Sequence, residues 1–320
     1  MKLVKKILDR FNGLRYPQEY LCFARGSFYQ PLHVYLLAGD FVAEDITRQH
    51  LFVGYSPLVF TLAGEDRPAG IRLAFSHRIL SPNEVFEPED ALAWLEMKRI
   101  RQQKENGVCI HYYEGTRGSH EFLTPFQQRV IRLQNEWYNK KPGNVFLHDN
   151  LYKQVQIAYA VPRIISLVTV CADNLVNLFP TDLHGPIGDS HYIISLRTGG
   201  NALSQVEKTG RVLLSQVEAE AYKTVYRLGK NHMQEMKSPE QFPLSAHRSA
   251  SLQWPLPEHT LLYREMELRD SFDTGIHRIM LFGVTNMHRA AAESGSLAHI
   301  HNSYATWRHN TGLAGNYLLR

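Results

Sequence analysis

The strongest constraint on the fold comes from a series of short runs of Val, Phe, Tyr and Leu. Glycine, proline and acidic residues separate the runs, which is typical of β-strands. The runs cover 32–37, 51–55, 58–62 and 71–75 in the first half and 164–170, 192–197, 212–217, 261–268 and 276–285 in the second. Because helical segments are few, the pattern predicts a mainly β chain with a few helices, an α+β fold. A closed or split β-barrel fits this layout better than a βαβ sheet.

Two segments of the first half have the sequence pattern of helices. The pattern predicts one helix over 91–103, with Leu92, Leu95 and Ile100 on its buried face. Residues 124–127, Thr-Pro-Phe-Gln, fit a capping box with proline at the first helical position. We expect a second helix to begin there and to end at a basic proline-glycine stop.

That stop, Lys140-Lys141-Pro142-Gly143, is the predicted domain boundary. It divides the chain into a β-rich domain with two helices, residues 1–143, and a second β domain, residues 144–320. A composition shift towards lysine, proline and glycine is typical of a linker.

A faint repeat relates the two halves. Residues 31–37 and 55–62 have the same order and similar spacing as 162–168 and 190–196. A degenerate barrel in the first half would explain the repeat, and so would a chance similarity of β-rich stretches.

Composition excludes several classes of protein. The chain has 320 residues, 44% hydrophobic and 21% charged, so it can bury a substantial core. A formal net charge of +4 gives no nucleic-acid signal. The three cysteines form no C-x-x-C pair, which argues against a disulfide framework or a cysteine zinc site. No run approaches the length of a membrane span or signal peptide, so we expect a soluble, cytoplasmic protein.

The segment 177–185 mixes small polar groups with a proline. Pro180 would disrupt regular pairing and leave backbone N–H groups free to face the edge of a heteroaromatic ring. An irregular strand end followed by an ordinary turn at 184–186 is the other interpretation, and local chemistry alone favours it.

The segment 192–210 combines a strand, two glycines and a short helix over 202–209 that Gly210 ends. Ser195 and Arg197 lie on one face of the strand by period-two alternation, so both could reach one phosphate. Asn201 would be the N-cap of the helix, whose unpaired N–H groups and dipole favour an anion. A capped helix after a flexible turn, with Arg197 in solvent, explains the same pattern without a ligand.

The order of these elements resembles the flavin reductase-like family of FMN-binding split barrels. The strand 163–169, the segment 177–183, the strand 192–197 and the helix before 212–217 occur in the order of that family. Residues 274–284, Thr-Gly-Ile-His-Arg-Ile-Met-Leu-Phe-Gly-Val, are similar to its glycine-x-histidine strand. The resemblance covers about residues 151–310, roughly half of the chain.

The resemblance implies a set of FMN-binding residues. Those implied for the isoalloxazine and ribityl parts are Asn177, Pro180, Thr181, Asp182 and Leu183, and those implied for the phosphate are Ser195, Arg197, Asn201 and Ala202, the last two at the helix start. Further walls would be Lys230, Asn231, His232 and His277, with Lys230 near the phosphate or flavin O2. Many relatives have a threonine at the start of this helix, where this chain has Asn201-Ala202. The threonine hydroxyl that would contact the phosphate is therefore missing.

The resemblance also implies a function. An NAD(P)H-dependent oxidoreductase would transfer hydride between NAD(P)H and the flavin or a small acceptor, and the cofactor would supply the chemistry without an obligate catalytic side chain. The alternative is a non-catalytic split barrel that holds haem or flavin, with His184, His277 or His299 as haem ligand. A structural interaction module would remain if no chromophore binds. We expect a homodimer or an intramolecular pseudo-dimer.

Histidines 299 and 301 would project to one side of a strand, a geometry that suits a metal pair. No carboxylate stands at a supporting spacing, so we expect hydrogen-bonded histidines and no metal.

Overall fold

The structure, a computed structural model, describes residues 13–65, 67–138, 145, 147–188, 190–313 and 315–318. The chain divides into two compact units. The first holds Met1–Leu21, Tyr29–Val161 and Ile300–Gly315, and the second holds Cys22–Phe28, Pro162–His299 and Asn316–Arg320. The predicted boundary at 140–143 lies outside the described residues, so the division at residue 143 stays a prediction.

The described residues form mostly strands. In the first half these are β1 Tyr20–Ala24, β2 His33–Ala38, β3 Phe41–Asp45, β4 His50–Tyr55, β5 Leu58–Ala63, β6 Gly70–Ser76, β7 Ala93–Glu105 and β8 Val108–His120. In the second half they are β9 Arg163–Ile164, β10 Ser166–Ala172, β11 Leu175–Thr181, β12 His184–Ile187, β13 His191–Arg197, β14 Arg211–Val217, β15 Leu244–Arg248, β16 Pro255–Pro257, β17 Thr260–Thr274, β18 His277–Arg289, β19 Leu297–His301 and β20 Tyr317–Leu318. The α-helices are α1 Pro125–Tyr138, α2 Asp149–Ala158, α3 Asn201–Thr209, α4 Tyr222–Leu228 and α5 Asn302–Asn310. This content confirms the predicted mainly β fold with a few helices. Within the described ranges, no helix has the length and apolar character needed to cross a membrane.

Each unit contains one seven-stranded antiparallel sheet. The order of strands is β3-β2-β6-β7-β8-β5-β4 in the first unit and β11-β10-β14-β17-β18-β13-β12 in the second. When the strands of each sheet are numbered from its own first strand, both orders become 2-1-5-6-7-4-3. The two units therefore share one strand order. Two smaller sheets, β20-β1-β19-β9 and β15-β16, complete the described strands.

The sequence repeat falls on equivalent strands of the two sheets. Residues 31–37 lie largely on β2, and their counterpart 162–168 leads into β10, which has the same place in the strand order. Likewise, residues 55–62 include most of β5, and residues 190–196 lie largely on β13, which has the same place in the strand order. The shared order agrees with the interpretation of the first half as a second copy of the sheet.

The two copies differ after β5 and β13. A turn and helix α3 follow β13, whereas β5 leads to β6 through 64–69, whose described residues form no helix. Helix α3 packs Ala202, Leu203 and Val206 into the core of the second unit. It ends at Gly210, whose φ of 64° lies in the left-handed region that favours glycine. Among the described residues, only the second copy has the strand, turn and helix that the sequence pattern singles out.

The predicted helix over 91–103 is wrong, because most of this segment forms β7. Ala93, Leu95 and Met97 are buried at alternate positions, as a strand requires, and Ile100 is 42% exposed. Residues such as Leu, Glu, Lys and Gln favour helices in isolation. Strand β7 pairs with β6 and β8, and that pairing outweighs the intrinsic preference.

The predicted capping box at the start of α1 is confirmed. The backbone N–H of Gln127 donates to Thr124 Oγ1 at 3.3 Å, and the backbone N–H of Thr124 donates to Gln127 Oε1 at 2.9 Å. These reciprocal bonds satisfy two amide groups that the helix itself leaves unpaired.

Candidate functional site

The turn between β13 and α3 contains the residues predicted to bind phosphate. Ser195 is buried in β13, whereas Arg197 is exposed at the end of the strand. No atom beyond its chain neighbours lies within 4 Å of the place where a Cβ of Gly199 would stand. The backbone N–H of Thr198 donates to the carbonyl of Ile276 at 3.0 Å and fixes the turn against the second sheet. The turn thus combines an exposed guanidinium with backbone that a ligand can approach.

The N-terminus of α3 has no side-chain cap. Gly200 is the N-cap, so the prediction that Asn201 caps the helix is wrong. The side-chain amide of Asn201 instead donates to Glu235 at 2.7 Å. A Cβ at Gly200 would lie 3.0 Å from the carbonyl of His232, which explains why glycine occupies the cap. Leu203 donates its backbone N–H to the carbonyl of Gly200 at 3.3 Å, and the amide groups of Asn201 and Ala202 are left to solvent or to an anion.

His277 stands directly opposite Arg197 where β18 pairs with β13. Its Nδ1 lies 3.3 Å from Ser195 Oγ, and the side chain is buried. Burial and the charge of Arg197 together lower the pKa of His277 to about 4, against the opposing effect of Asp182. His277 is therefore neutral near pH 7 and acts on Ser195 through hydrogen bonding.

Asn177 is the central residue of a buried polar cluster. Its Nδ2 donates to Gln205 Oε1 at 2.6 Å and to the carbonyl of Asn231 at 3.1 Å. Asn231 in turn donates its Nδ2 to the carbonyl of Leu178 at 2.9 Å. These bonds join β11, α3 and the 3-10 turn Gly229–Met233, so the Asn177 amide holds the walls of this region together.

The expectation that Pro180 disrupts strand pairing is wrong. Strand β11 pairs with β10 in unbroken register from Leu175 to Thr181, with Pro180 opposite Leu167. Strand β11 is at the edge of the sheet, so one of its sides has no neighbouring strand. A proline is tolerated there, because its missing backbone N–H removes no hydrogen bond between strands on that side. Past its end, the carbonyl of Leu183 accepts from the backbone N–H of Ser195 at 2.9 Å.

Asp182 belongs to a chain of hydrogen bonds that sequence reasoning missed. Its Oδ2 lies 2.9 Å from His299 Nδ1, and His299 Nε2 lies 2.9 Å from the Tyr226 hydroxyl. The Cys22 thiol donates to that hydroxyl at 2.8 Å. The histidine and carboxylate side chains are 16% and 20% exposed. Four titratable groups thus form one continuous, largely buried chain.

The pKa of His299 is raised to about 9 in this chain of bonds. Burial by itself lowers the pKa, but hydrogen bonds to Asp182 and Cys22 and the nearby carboxylate charge outweigh it. At neutral pH the imidazole is therefore protonated, and it donates through both ring nitrogens. The pair of His299 and Asp182 then has no net charge.

The predicted residues Lys230, Asn231 and His232 are placed by the 3-10 turn Gly229–Met233. His232 lies beside Gly200, and its Nδ1 contacts the carbonyl of Gly229. Lys230 is exposed and, with Asn231, lines a cavity of about 380 Å³. The β13–α3 turn residues are not among those that line it.

The histidines considered as haem or metal ligands have side-chain partners. His184 Nδ1 lies 2.8 Å from the Tyr192 hydroxyl, and burial lowers the pKa of this histidine to about 4. His301 caps α5 by accepting from the backbone N–H of Ser303 at 3.1 Å. Among the residues that the structure describes, no group of three or more His, Cys, Asp or Glu side chains could hold a metal ion.

Comparison with known proteins gives matches among solved structures only. No family model matches the chain, and no curated protein matches it. An FMN-binding protein from Thermus thermophilus, with bound p-hydroxybenzaldehyde, is 19% identical over 40% of this chain and 73% of its own, with a TM-score of 0.36. The flavin reductase component of a bacterial two-component tryptophan halogenase is 16% identical over 47% and 98%, with a TM-score of 0.40. The styrene monooxygenase flavin reductase from Pseudomonas putida is 11% identical over 52% and 97%, with a TM-score of 0.39.

These structural neighbours are FMN-binding proteins and flavin reductases, the group that the sequence resembles. Each is similar to about half of the chain.

Proposed function

We propose that the second unit binds FMN, with the phosphate at the turn between β13 and α3. The observation that carries this proposal is the uncapped start of α3 next to Arg197. The described residues provide no carboxylate partner for the Arg197 guanidinium. A phosphate dianion complements the helix dipole, the free amide groups and the guanidinium together. Gly199 leaves room for its approach. Ser195 lies one alternate position before Arg197 and is kept in place by His277.

The flavin ring is proposed to lie along Thr181, Asp182 and Leu183. The bond from the Ser195 amide to the Leu183 carbonyl holds this segment beside the strand that leads to the phosphate turn. Asn177 is left out of the proposed contacts, because its Nδ2 donates within the protein and its side chain is fully buried. Protonated His299 neutralises Asp182, so the segment does not repel an electron-rich ring.

When bound, FMN supplies hydride transfer through its N5 atom, and we propose NAD(P)H as the donor and the flavin or a small molecule as the acceptor. The protein's part is to bind and orient the ring and to exclude water. No side chain is required as a catalytic acid. An enzyme of this kind oxidises NAD(P)H only when flavin is present, which a spectrophotometric assay measures directly.

Replacement of Arg197 tests the phosphate contact. We expect Arg197→Ala to weaken FMN binding by about 1–3 kcal/mol, roughly 5- to 150-fold, because a charge-assisted hydrogen bond is lost. Glu235→Gln should strengthen binding a few-fold, because it removes a negative charge from the start of α3. Titration of the purified protein with FMN, followed by flavin fluorescence, measures both effects.

Arg48→Ala is the matched control, because Arg48 is exposed in the first unit and its loss changes the net charge equally. It should leave FMN affinity unchanged. If the wild-type chain does not bind FMN, or if Arg197→Ala binds it as tightly as Arg48→Ala does, the proposed site is wrong.

We further propose that the chain acts as an intramolecular pseudo-dimer. The support is the identical strand order of the two seven-stranded sheets, which gives one chain two copies of the same framework. We therefore expect the protein to be a monomer in solution. Light scattering with and without FMN measures its mass. A stable dimer in both conditions would contradict this proposal and would favour the homodimer.

A further inference from the structure

A cavity of about 380 Å³ in the second unit has an unusual distribution of charge. Three cationic side chains, Arg227, Lys230 and Lys237, line it, and no carboxylate does. Phe242 and Pro243 add an apolar part to the lining. A volume of this size is within the range of small-molecule sites.

The three cations have no acidic partner in the described part of the chain. Arg227 Nη2 donates to Thr224 Oγ1 at 3.0 Å, and Lys237 Nζ donates to Gln234 Oε1 at 2.5 Å, so their existing partners are neutral. Like charges that share a cavity repel one another, and a bound anion would relieve that repulsion. The cavity is therefore complementary to an anion.

The wall that carries these charges is fixed in advance. The backbone of Lys237 forms two hydrogen bonds with Val176 of β11, at 2.7 and 2.8 Å. Asn231, beside Lys230, donates to the carbonyl of Leu178 on the same strand. Binding therefore needs little ordering of the backbone, which favours affinity.

A neighbouring cavity has charge of the opposite sign. This second cavity, of about 310 Å³, shares Thr224 and Pro243 with the first but is lined by Glu220 and Glu258. The carboxylates there would repel an anion, so the preference for an anion belongs to the first of the two cavities.

We propose that the cationic cavity binds a phosphorylated nucleoside. Arg227, Lys230 and Lys237 hold the phosphate groups, and Phe242 and Pro243 contact the flat base. The guanidinium of Arg227 suits bidentate phosphate binding, and the two ammonium groups neutralise the remaining charge. This site is separate from the proposed FMN phosphate site at Arg197 and does not depend on it.

Calorimetric titration of the full chain tests the proposal, with adenosine diphosphate and inorganic pyrophosphate as probes. We expect both to bind, adenosine diphosphate more tightly, because only it has a base for Phe242 and Pro243. The double variant Arg227→Ala/Lys237→Ala should weaken binding of both probes at least about tenfold. Lys230→Ala, a change at an exposed side chain that leaves the core intact, should weaken it severalfold and guards against a folding defect in the double variant.

Lys208→Ala is the charge-matched control, because Lys208 is exposed on α3 outside the cavity. It should bind both probes as the wild type does. Arg197→Ala should also retain them, whereas the double variant should retain FMN, which separates failure here from failure of the proposed flavin site. Absence of binding by either probe, or equal binding by the wild type and Lys230→Ala, would overturn the anion site. Pyrophosphate binding as tight as that of adenosine diphosphate would overturn the assignment to a nucleoside.

Discussion

Acidification from pH about 6.5 to about 4 should destabilise the second unit steeply, because it contains two buried histidines that stay neutral in the fold. Burial and the charge of Arg264 together lower the pKa of His184 to about 4, against the effect of Asp182. Burial and the charge of Arg197 do the same for His277. In this pH window the unfolded chain binds protons that the folded unit does not.

The sign and size of the effect follow from that difference. Each folded pKa is lowered from 6.5 to about 4. Each histidine therefore removes roughly 3 kcal/mol from the free energy of unfolding as the pH falls through the window, and the loss is complete near pH 4. Together the two should cost roughly 6 kcal/mol, a large fraction of the stability of a typical domain.

Urea unfolding at a series of pH values measures this effect, and hydrogen exchange of peptides from 162–299 assigns it to the second unit. His277→Gln should flatten the slope of stability against pH by about one proton, because the position no longer titrates. Ile279→Val, two residues along the same strand, should lower stability by about 1 kcal/mol at every pH and leave the slope unchanged. The interpretation fails if both variants show the same slope.

The predictable part of the fold is the part in which local chemistry and sheet pairing agree. The capping box of α1 and the glycine that ends α3 were found because a few adjacent residues determine each feature. The segment that forms β7 was assigned to a helix, since its composition favours one and its pairing partners β6 and β8 are distant in sequence.

The candidate site likewise has a part that the sequence predicts and a part that it does not. Ser195, Arg197 and the start of α3 are neighbours in sequence, so spacing alone predicted that they lie together. Asp182 and His299 are 117 residues apart, and Cys22 and Tyr226 are 204 apart. No spacing rule connects such pairs. The resemblance implies a flavin contact for Asp182, and the sequence predicts a hydrogen-bonded His299 without naming its partner; only the tertiary structure brings the two side chains together.

Asp182→Asn should remove the stabilisation that protonated His299 gives the second unit. The folded pKa of His299 is about 9, above the usual 6.5. A raised pKa gives stability that is fully present below pH about 6.5 and is lost as the pH rises through about 9. The shift corresponds to roughly 3 kcal/mol. Without the carboxylate, burial disfavours the imidazolium, and this contribution disappears.

We therefore expect Asp182→Asn to lower the free energy of unfolding by roughly 3 kcal/mol near pH 6, with the difference from wild type shrinking as the pH rises above about 6.5 and nearly gone by about 9. NMR titration of His299 should show its pKa fall from about 9 to below 6.5. Tyr226→Phe is the control, because it removes a neutral hydrogen bond to His299 and keeps Asp182. The Tyr226→Phe variant should lower the free energy of unfolding by about 1 kcal/mol, with little dependence on pH.

Stability and FMN binding should separate in the Asp182→Asn variant. The wild-type pair of protonated His299 and Asp182 has no net charge, and neither does a neutral histidine beside an asparagine. The field at the proposed ring segment then changes little, so FMN affinity at pH about 7 should stay within about threefold of wild type. A loss of FMN binding as large as that of Arg197→Ala would show that the Asp182 carboxylate contacts the flavin itself, and that its pairing with His299 is secondary.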